Sequence, residues 1–348
     1  HVPAAALARM LQLLNSDFWR VNALFLVAGV AQSLLAFELN QVGFTRDSWT
    51  FMGNPIGQFL LAAVDRRLWQ NWRTSLLLSA TPIIACEVVC NIFSQVAIPK
   101  IGRDMYQAVC CFLVVLNLVF AHGDMQIRLS FVHWGSVVLI GLANSVAVSH
   151  LQHEDTDFSV EVDGIMASVV ATVFASAVYV LANRVLEDSW DSPAPKPLVL
   201  MQMVGTVEVV IVAAYVLAYV VPDWGSAGAE SARPGASVPY CAALNALYVA
   251  ACGAHQYAFY HFCALGPDAA VTAGINKSVQ TSLLFFLYHF FYCDADMTLQ
   301  CLSWLKIMGA TVVGISVVMY GYTGVDTPRQ TGDSPGHIGV SIFRAVTV

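Results

Sequence analysis

The 348-residue chain is 57% hydrophobic and only 11% charged, with a net charge of −7; a soluble globular protein is about a quarter charged. Its mean hydropathy is +0.65, and its apolar residues come in blocks of about 20, the length that crosses a hydrocarbon core. An ordinary soluble domain is excluded, and the acidic balance argues against a nucleic-acid partner, which needs a basic face.

In chain order, a short amphipathic segment (1–17) carrying Arg9 comes first. The sequence begins at His1 and not Met, which reads as an incomplete or processed chain. Windows of apolar residues bounded by charge then predict ten spans near 18–38, 48–64, 74–98, 102–121, 131–150, 162–185, 197–221, 238–265, 268–292 and 300–322. The second is short and interrupted by Gly53, Pro55 and Gly57. A Gly/Pro/Thr-rich tail, 325–348, closes the chain and has the composition of a flexible segment.

Orientation follows from Lys and Arg. With the N-terminus in the cytosol, Arg9, Arg20, Arg66, Arg67, Arg73, Arg128, Arg184, Lys196, Arg329 and Arg344 fall on the cytosolic side. Arg46, Lys100, Arg103, Arg233 and Lys306 fall on the other. The acidic loop 151–161, which with the following turn holds Glu154, Asp155, Asp157, Glu161 and Asp163, has no Lys or Arg and suits a non-cytosolic face. It also divides the chain into a first half, 18–150, and a second, 162–324. Each half has an odd number of spans, so the second enters the bilayer in the opposite sense. The expected fold is an all-α polytopic membrane protein, ten transmembrane helices in a five-plus-five inverted repeat, with both termini cytosolic. Many secondary carriers are built in this way, with the site at the midplane between the halves.

Lys277 is the residue that points most directly to function, because it places an ammonium group inside the apolar run 269–292. A cation at that depth costs about 2.5–3.5 kcal/mol and faces a partner or a water-filled cavity. Asn276 is adjacent, and Gln280 and Thr281 follow at helical spacing on one face. Two readings stand: contact with an anionic ligand, or a structural ion pair with Glu87 in the third span or Glu208 in the seventh. Glu87 alone could also carry a proton in coupled transport. The eighth span bears Asn245, Tyr248, His255, Gln256, Tyr257, Tyr260 and His261, side chains that can stack on a base or hydrogen-bond a sugar, or serve in packing and the interfacial belt.

Most of the nine cysteines lie inside spans as small buried hydrophobes. Cys293 and Cys301 flank the loop between the ninth and tenth spans, where a disulfide would need an oxidising compartment. No Cys/His cluster has zinc-ligand spacing. No phosphate-binding glycine loop, nucleophile elbow or metalloprotease motif occurs. The sequence reads as a non-enzyme without cofactor or metal.

Ten spans, cytosolic termini and the five-plus-five repeat resemble the drug/metabolite transporter superfamily. GIMASVVATVFASAVYVLANRVL, from Gly164, is similar to the helix that opens its second half. LQCLSWLKIMGATVVGISVVMYG, from Leu299, is similar to its closing helix. AGINK, Ala273 to Lys277, resembles the GALNK motif of the GDP-mannose transporters among the nucleotide-sugar transporters. The resemblance implies that Asn276 and Lys277 face the donor's diphosphate and sugar, with Gly274 allowing close approach. The Tyr/Asn-rich stretch that reads guanine in that family is here LVLMQMVG, with Gln202 its one hydrogen-bonding side chain. Ser278 stands where the plastid sugar-phosphate translocators carry Arg.

The expected activity is antiport of a nucleotide sugar against a nucleoside monophosphate by alternating access, in a Golgi or other endomembrane. Lys277, Asn276, Gly274 and Gln280 would hold the anion, and Tyr257, Tyr260 and Gln202 the base or sugar. Two alternatives remain: a non-transporting membrane subunit of a larger complex, and a carrier for another small organic anion. Ala310 and Gly314 give the tenth span a small face suited to close packing, which leaves a homodimer or a membrane assembly open.

Overall fold

The computed structural model describes residues 17–42, 47–63, 66–125, 130–148, 158–186, 196–220, 237–265, 269–293 and 301–322. The N-terminal segment to residue 16, the acidic stretch 151–157 and the C-terminal tail lie outside the described residues. Among the described residues there is no strand, and ten α-helices follow one another, with a short 3-10 helix at Arg66–Asn71 and a π-helical turn at Val216–Val220. They are α1 (Asp17–Gln41), α2 (Asp47–Ala63), α3 (Thr74–Gly102), α4 (Met105–Gly123) and α5 (Phe131–Val148). The series continues with α6 (Phe158–Leu186), α7 (Pro197–Tyr215), α8 (Val238–Cys263), α9 (Ala269–Tyr292) and α10 (Trp304–Tyr322). Five stretches are long and apolar enough to cross a membrane: Asp17–Gln41, Thr74–Gly102, Met105–Gly123, Glu161–Leu186 and Pro197–Ala218. This is the make-up of a helical integral membrane protein. The apolar character of α8 and α9 is diluted by their polar side chains, among them Asn245, His255 and Gln256 on α8 and Asn276, Lys277 and Gln280 on α9.

Three local features refine the sequence expectation. α2 is helical through Gly53, Pro55 and Gly57 because packing outweighs propensity. A Cβ at Gly53 would lie 2.2 Å from the Tyr248 ring, and one at Gly57 2.5 Å from the Gly253 backbone nitrogen. The glycines let α2 lie directly on α8. The boundary between α3 and α4 falls at Gly102, whose φ of 74° is open to glycine at little cost and breaks an otherwise continuous helical stretch. α6 begins at Phe158, earlier than the hydropathy suggests, with Glu161 in its first turn where a negative charge meets the helix dipole.

The helices pair across the bundle. α3 packs on α6, α1 on α8, α5 on α10 and α2 on both α7 and α8. α4 lies against α6 and α9, while α9 also touches α1 and α10. One apolar core joins Phe25, Ile83, Leu200, Met203, Phe259 and Phe262. A second joins Val114, Leu118, Ile140, Val271, Ile275 and Val313. α9 contributes Ala269 and Ala273 to the first and Val271 and Ile275 to the second, so it is enclosed on all sides in its first half.

One end of the bundle is tied by polar and covalent links. Glu38 Oε1 accepts from the Tyr240 hydroxyl at 3.0 Å and its Oε2 from the Tyr292 hydroxyl at 3.1 Å. Cys293 and Cys301 form a disulfide, and Lys306 Nζ donates to the Cys301 carbonyl at 3.2 Å. Lys100 pairs with Asp163 at 3.2 Å, joining the end of α3 to the start of α6.

The glycine contacts give a direct test. Gly57→Ala forces backbone against backbone, and overpacking of this kind costs about 1–3 kcal/mol. Gly314→Ala meets nothing within 4 Å, and alanine is the better helix former by about 0.5–1 kcal/mol. Thermal unfolding in detergent should show a lowered Tm for Gly57→Ala and an unchanged or raised one for Gly314→Ala.

Candidate functional site

Lys277 sits where α9 meets α1, α4 and α8. Its Nζ donates to Gln280 Oε1 at 3.2 Å, one turn further along α9. Gln280 is completely buried, and its Nε2 donates to the Gly29 carbonyl at 2.7 Å and to Ser33 Oγ at 3.3 Å. Gly29 makes room for this amide: a Cβ there would lie 2.5 Å from Gln280 Oε1 and 2.9 Å from the His255 ring. Around the same point, Gln107 Nε2 donates to Ser33 Oγ at 3.4 Å, and Thr281 Oγ1 to Gln107 Oε1 at 3.4 Å. Asn276 is buried and its Nδ2 donates to Asn22 Oδ1 on α1. His255 Nδ1 donates to the Phe25 carbonyl at 3.0 Å, with its ring 4.3 Å from that of Phe25.

Among the described residues the ammonium group has polar company and no carboxylate in an ion pair with it. Neither Glu87 nor Glu208 forms an ion pair with Lys277. Within its electrostatic reach lie the thiols of Cys90, Cys110 and Cys111 and the imidazole of His255. Lys277 keeps partial exposure, although Asn276 and Ser278 on either side of it are buried. An uncompensated cation among hydrogen-bonding amides and hydroxyls, in apolar surroundings, has the chemistry of an anion-binding site: charge-assisted hydrogen bonds are strong there, and removal of water strengthens them.

The other expected site residues are distributed elsewhere. Gly274 does allow close approach, but of a helix: a Cβ would lie 2.9 Å from Val114 Cα and 3.0 Å from Asn117 Nδ2 on α4. Asn117 Nδ2 also donates to the Ala270 carbonyl at 2.7 Å, which fixes α4 against α9. Gln202 is buried on α7 and accepts from Trp72 Nε1 at 3.2 Å. Tyr257 packs at the edge of the first core and its ring lies 4.1 Å from that of His261 on the same helix. Tyr260 is fully buried and within electrostatic reach of Glu87 and Glu208. An open groove of about 580 Å³ runs between α3 and α7, lined by apolar residues that include Leu77, Ile84, Val88, Val207 and Ile211; it holds none of the expected site residues.

This helix arrangement has a precedent. Of 28 solved chains that match, one protein crystal structure aligns over 87% of this chain and 96% of its own, with TM-score 0.62 and 14% sequence identity. At that identity the likeness is one of fold. No family model matches the chain, and no curated protein matches it.

Sequence reasoning missed the α1 contribution. Asn22, Gly29 and Ser33 are spaced seven and four residues apart, which puts them on one helical face. A small and polar stripe on an otherwise apolar helix was the available signal. His255 stood out only as one polar residue among several on α8, and Gln107 lay beyond the break at Gly102.

His289 lies beside the disulfide, with its ring nitrogen and both sulfurs within 4.8 Å of one another. With the two thiols joined, the imidazole is the only one of the three still able to ligate a metal.

Gln280 is the residue on which the local geometry turns. Gln280→Leu removes its bonds to Lys277, Gly29 and Ser33; the Gly29 carbonyl keeps the Ser33 hydroxyl, so the loss is that of the buried hydrogen bonds themselves, about 0.5–1.5 kcal/mol each. The expected result is a lowered Tm in detergent, larger than for Thr281→Val, whose hydroxyl also bonds its own helix at the Lys277 carbonyl.

Proposed function

We propose that this chain is a secondary carrier of the drug/metabolite transporter type, with ten spans in an inverted five-plus-five repeat and an anion site at Lys277. The observation that carries the reading is the ammonium of Lys277, which among the described residues has an amide partner and no ion pair, set in a buried amide and hydroxyl shell and partly exposed. In a non-transporting subunit that charge would be closed off by Glu87, Glu208, lipid or a neighbouring protein; of these, Glu87 and Glu208 form no ion pair with it.

The helix pairing supports the repeat. Exchanging each helix for the one five places along turns α1–α8 into α6–α3, α1–α9 into α6–α4, and α2–α8 into α7–α3. The pairs α2–α7, α4–α9 and α5–α10 map onto themselves. All of these pairs are in contact. These pairs obey the exchange, as expected of two structurally equivalent halves related by a two-fold axis, while lesser contacts such as α6–α8 and α5–α9 do not.

The substrate class follows from the site and from the AGINK stretch. A diphosphate needs a fixed cation, which Lys277 can supply; Gln280, whose amide is committed to Gly29 and Ser33, holds that ammonium in place, and Asn276 keeps one N–H beyond its bond to Asn22. The similarity of AGINK to the motif of nucleotide-sugar transporters makes a nucleotide sugar, exchanged for a nucleoside monophosphate, the first class to test. Alternating access would rock the two halves about α9, and an endomembrane location accompanies that substrate.

Purified protein screened by thermal shift against nucleoside mono- and diphosphates and nucleotide sugars, beside Lys277→Ala, decides the matter. A ligand at 100 times its Kd adds about 2.7 kcal/mol of stability. The expected outcome is a Tm increase for one nucleotide family that disappears in Lys277→Ala. A folded wild-type protein that no phosphate-bearing ligand stabilises would sink the proposal.

A further inference from the structure

Two buried acids take no part in the anion site. Glu87 on α3 is 7% exposed and Glu208 on α7 is 0% exposed. Glu87 Oε1 accepts from Gln58 Nε2 at 2.8 Å and from Gln256 Nε2 at 3.4 Å. Among the described residues, Glu87 Oε2 and both oxygens of Glu208 are buried without a hydrogen-bond partner, as are Gln58 Oε1 and the Tyr260 hydroxyl. The two acids lie within electrostatic reach of each other, and Tyr260 within reach of both. Gln58 joins them in space. It bonds Glu87, and its Cβ would be 2.6 Å from a Cβ added at Gly205, one turn before Glu208.

The groups facing the pair come from several helices. α2 supplies Gln58, which does not titrate; α3 supplies Cys90, with Cys86 next to Glu87; α6 supplies Tyr179; and α8 supplies Gln256 and Tyr260. Beyond Cys90 lie Cys110 on α4 and Lys277 on α9. None of the thiols or phenols brings a positive charge, and Lys277 forms no ion pair with either acid. Two carboxylates sharing an apolar site cannot both be ionised without strong repulsion. A proton on one removes that repulsion and turns an acceptor into a donor for its unpartnered neighbours.

We propose that Glu87 and Glu208 form a proton-binding carboxyl pair, with Gln58, Gln256 and Tyr260 as its polar shell. The site excludes water at Glu208, Gln58 and Tyr260, each 0% exposed, which suits a bare proton rather than a hydrated metal cation. The proton comes from the aqueous phase, forms one carboxyl O–H bond, and returns to water when that bond breaks; no oxidant or reductant is needed. Glu87 belongs to the helices α1–α5 and Glu208 to α6–α10. A protonated pair therefore holds the two sets of helices together, and a doubly ionised pair drives them apart. The site is independent of the ligand assigned to Lys277, so its test stands whether or not that reading does.

Infrared difference spectroscopy on the full chain in lipid reads the proton directly. At neutral pH the wild type should show the carbonyl stretch of a protonated carboxyl, shifted in D2O. The double variant Glu87→Gln/Glu208→Gln should lose this band. In Glu87→Gln and Glu208→Gln alone it should titrate away at a pH lower by about a unit or more, because the neighbouring negative charge that retains the proton is gone. Elution of each variant at the wild-type position in gel filtration controls for folding, and the single variants suffice if the double one fails. The proposal is overturned by the absence of the band at neutral pH, by its survival in the double variant, or by unchanged titration in both single variants. Loss of the wild-type band when choline chloride is replaced by sodium chloride would overturn it in favour of a metal-cation site.

Discussion

The amide of Gln280, inserted where Gly29 lacks a side chain, is the contact on which the centre of this protein depends. It fixes α9 against α1 through the Gly29 carbonyl, and it holds Lys277 through its other end. In a medium with little water, a backbone carbonyl that already serves its own helix can still accept a second hydrogen bond, and a glycine is the one residue that exposes it so fully. The polar groups that follow, Ser33, Gln107 and Thr281, extend the same network to α4. Removing Gly29 would displace the amide and the ammonium together.

α9 can carry this network because its neighbours enclose its first half. Alternate residues of its first half feed two separate apolar cores, and small residues at Ala270, Ala273 and Gly274 admit close neighbours. Asn117 makes the same point from the other direction: it bonds the Ala270 carbonyl on α9 and accepts from Ser176 on α6, so three helices meet at one side chain. Apolar burial sets how far apart the helices lie, and a few amides set how they are turned. The charge at Lys277 is tolerated because its surroundings were made polar by three other helices.

Much of the helical layout was legible in the amino-acid sequence, because the length and apolarity of a span are properties of one segment. The windows at 74–98, 131–150 and 238–265 fall on helices α3, α5 and α8 for that reason. The glycines of α2 were harder to read: locally Gly53 and Gly57 disfavour a helix, and their value appears only against Tyr248 and Gly253. Lys277, Asn276 and Gln280 were visible as a polar face on an apolar run. Their partners on α1 were not, since contact between residues some 250 positions apart is a property of the bundle. Gln202 and Tyr257 show the converse: polarity in a span marks a need for a hydrogen bond or an interface, and the partner can be as ordinary as Trp72.

The links at one end of the bundle have a mechanical consequence. Glu38, Tyr240 and Tyr292 join α1, α8 and α9, and the disulfide with Lys306 continues the chain of links into α10. Four helices from both halves of the sequence are thus clasped at the same rim. A lever held at one end swings most freely at the other, so any rocking of these helices has its fulcrum near the clasp and its widest travel at the opposite mouth. Reduction of Cys293 and Cys301 would remove the covalent link of that clasp and loosen it.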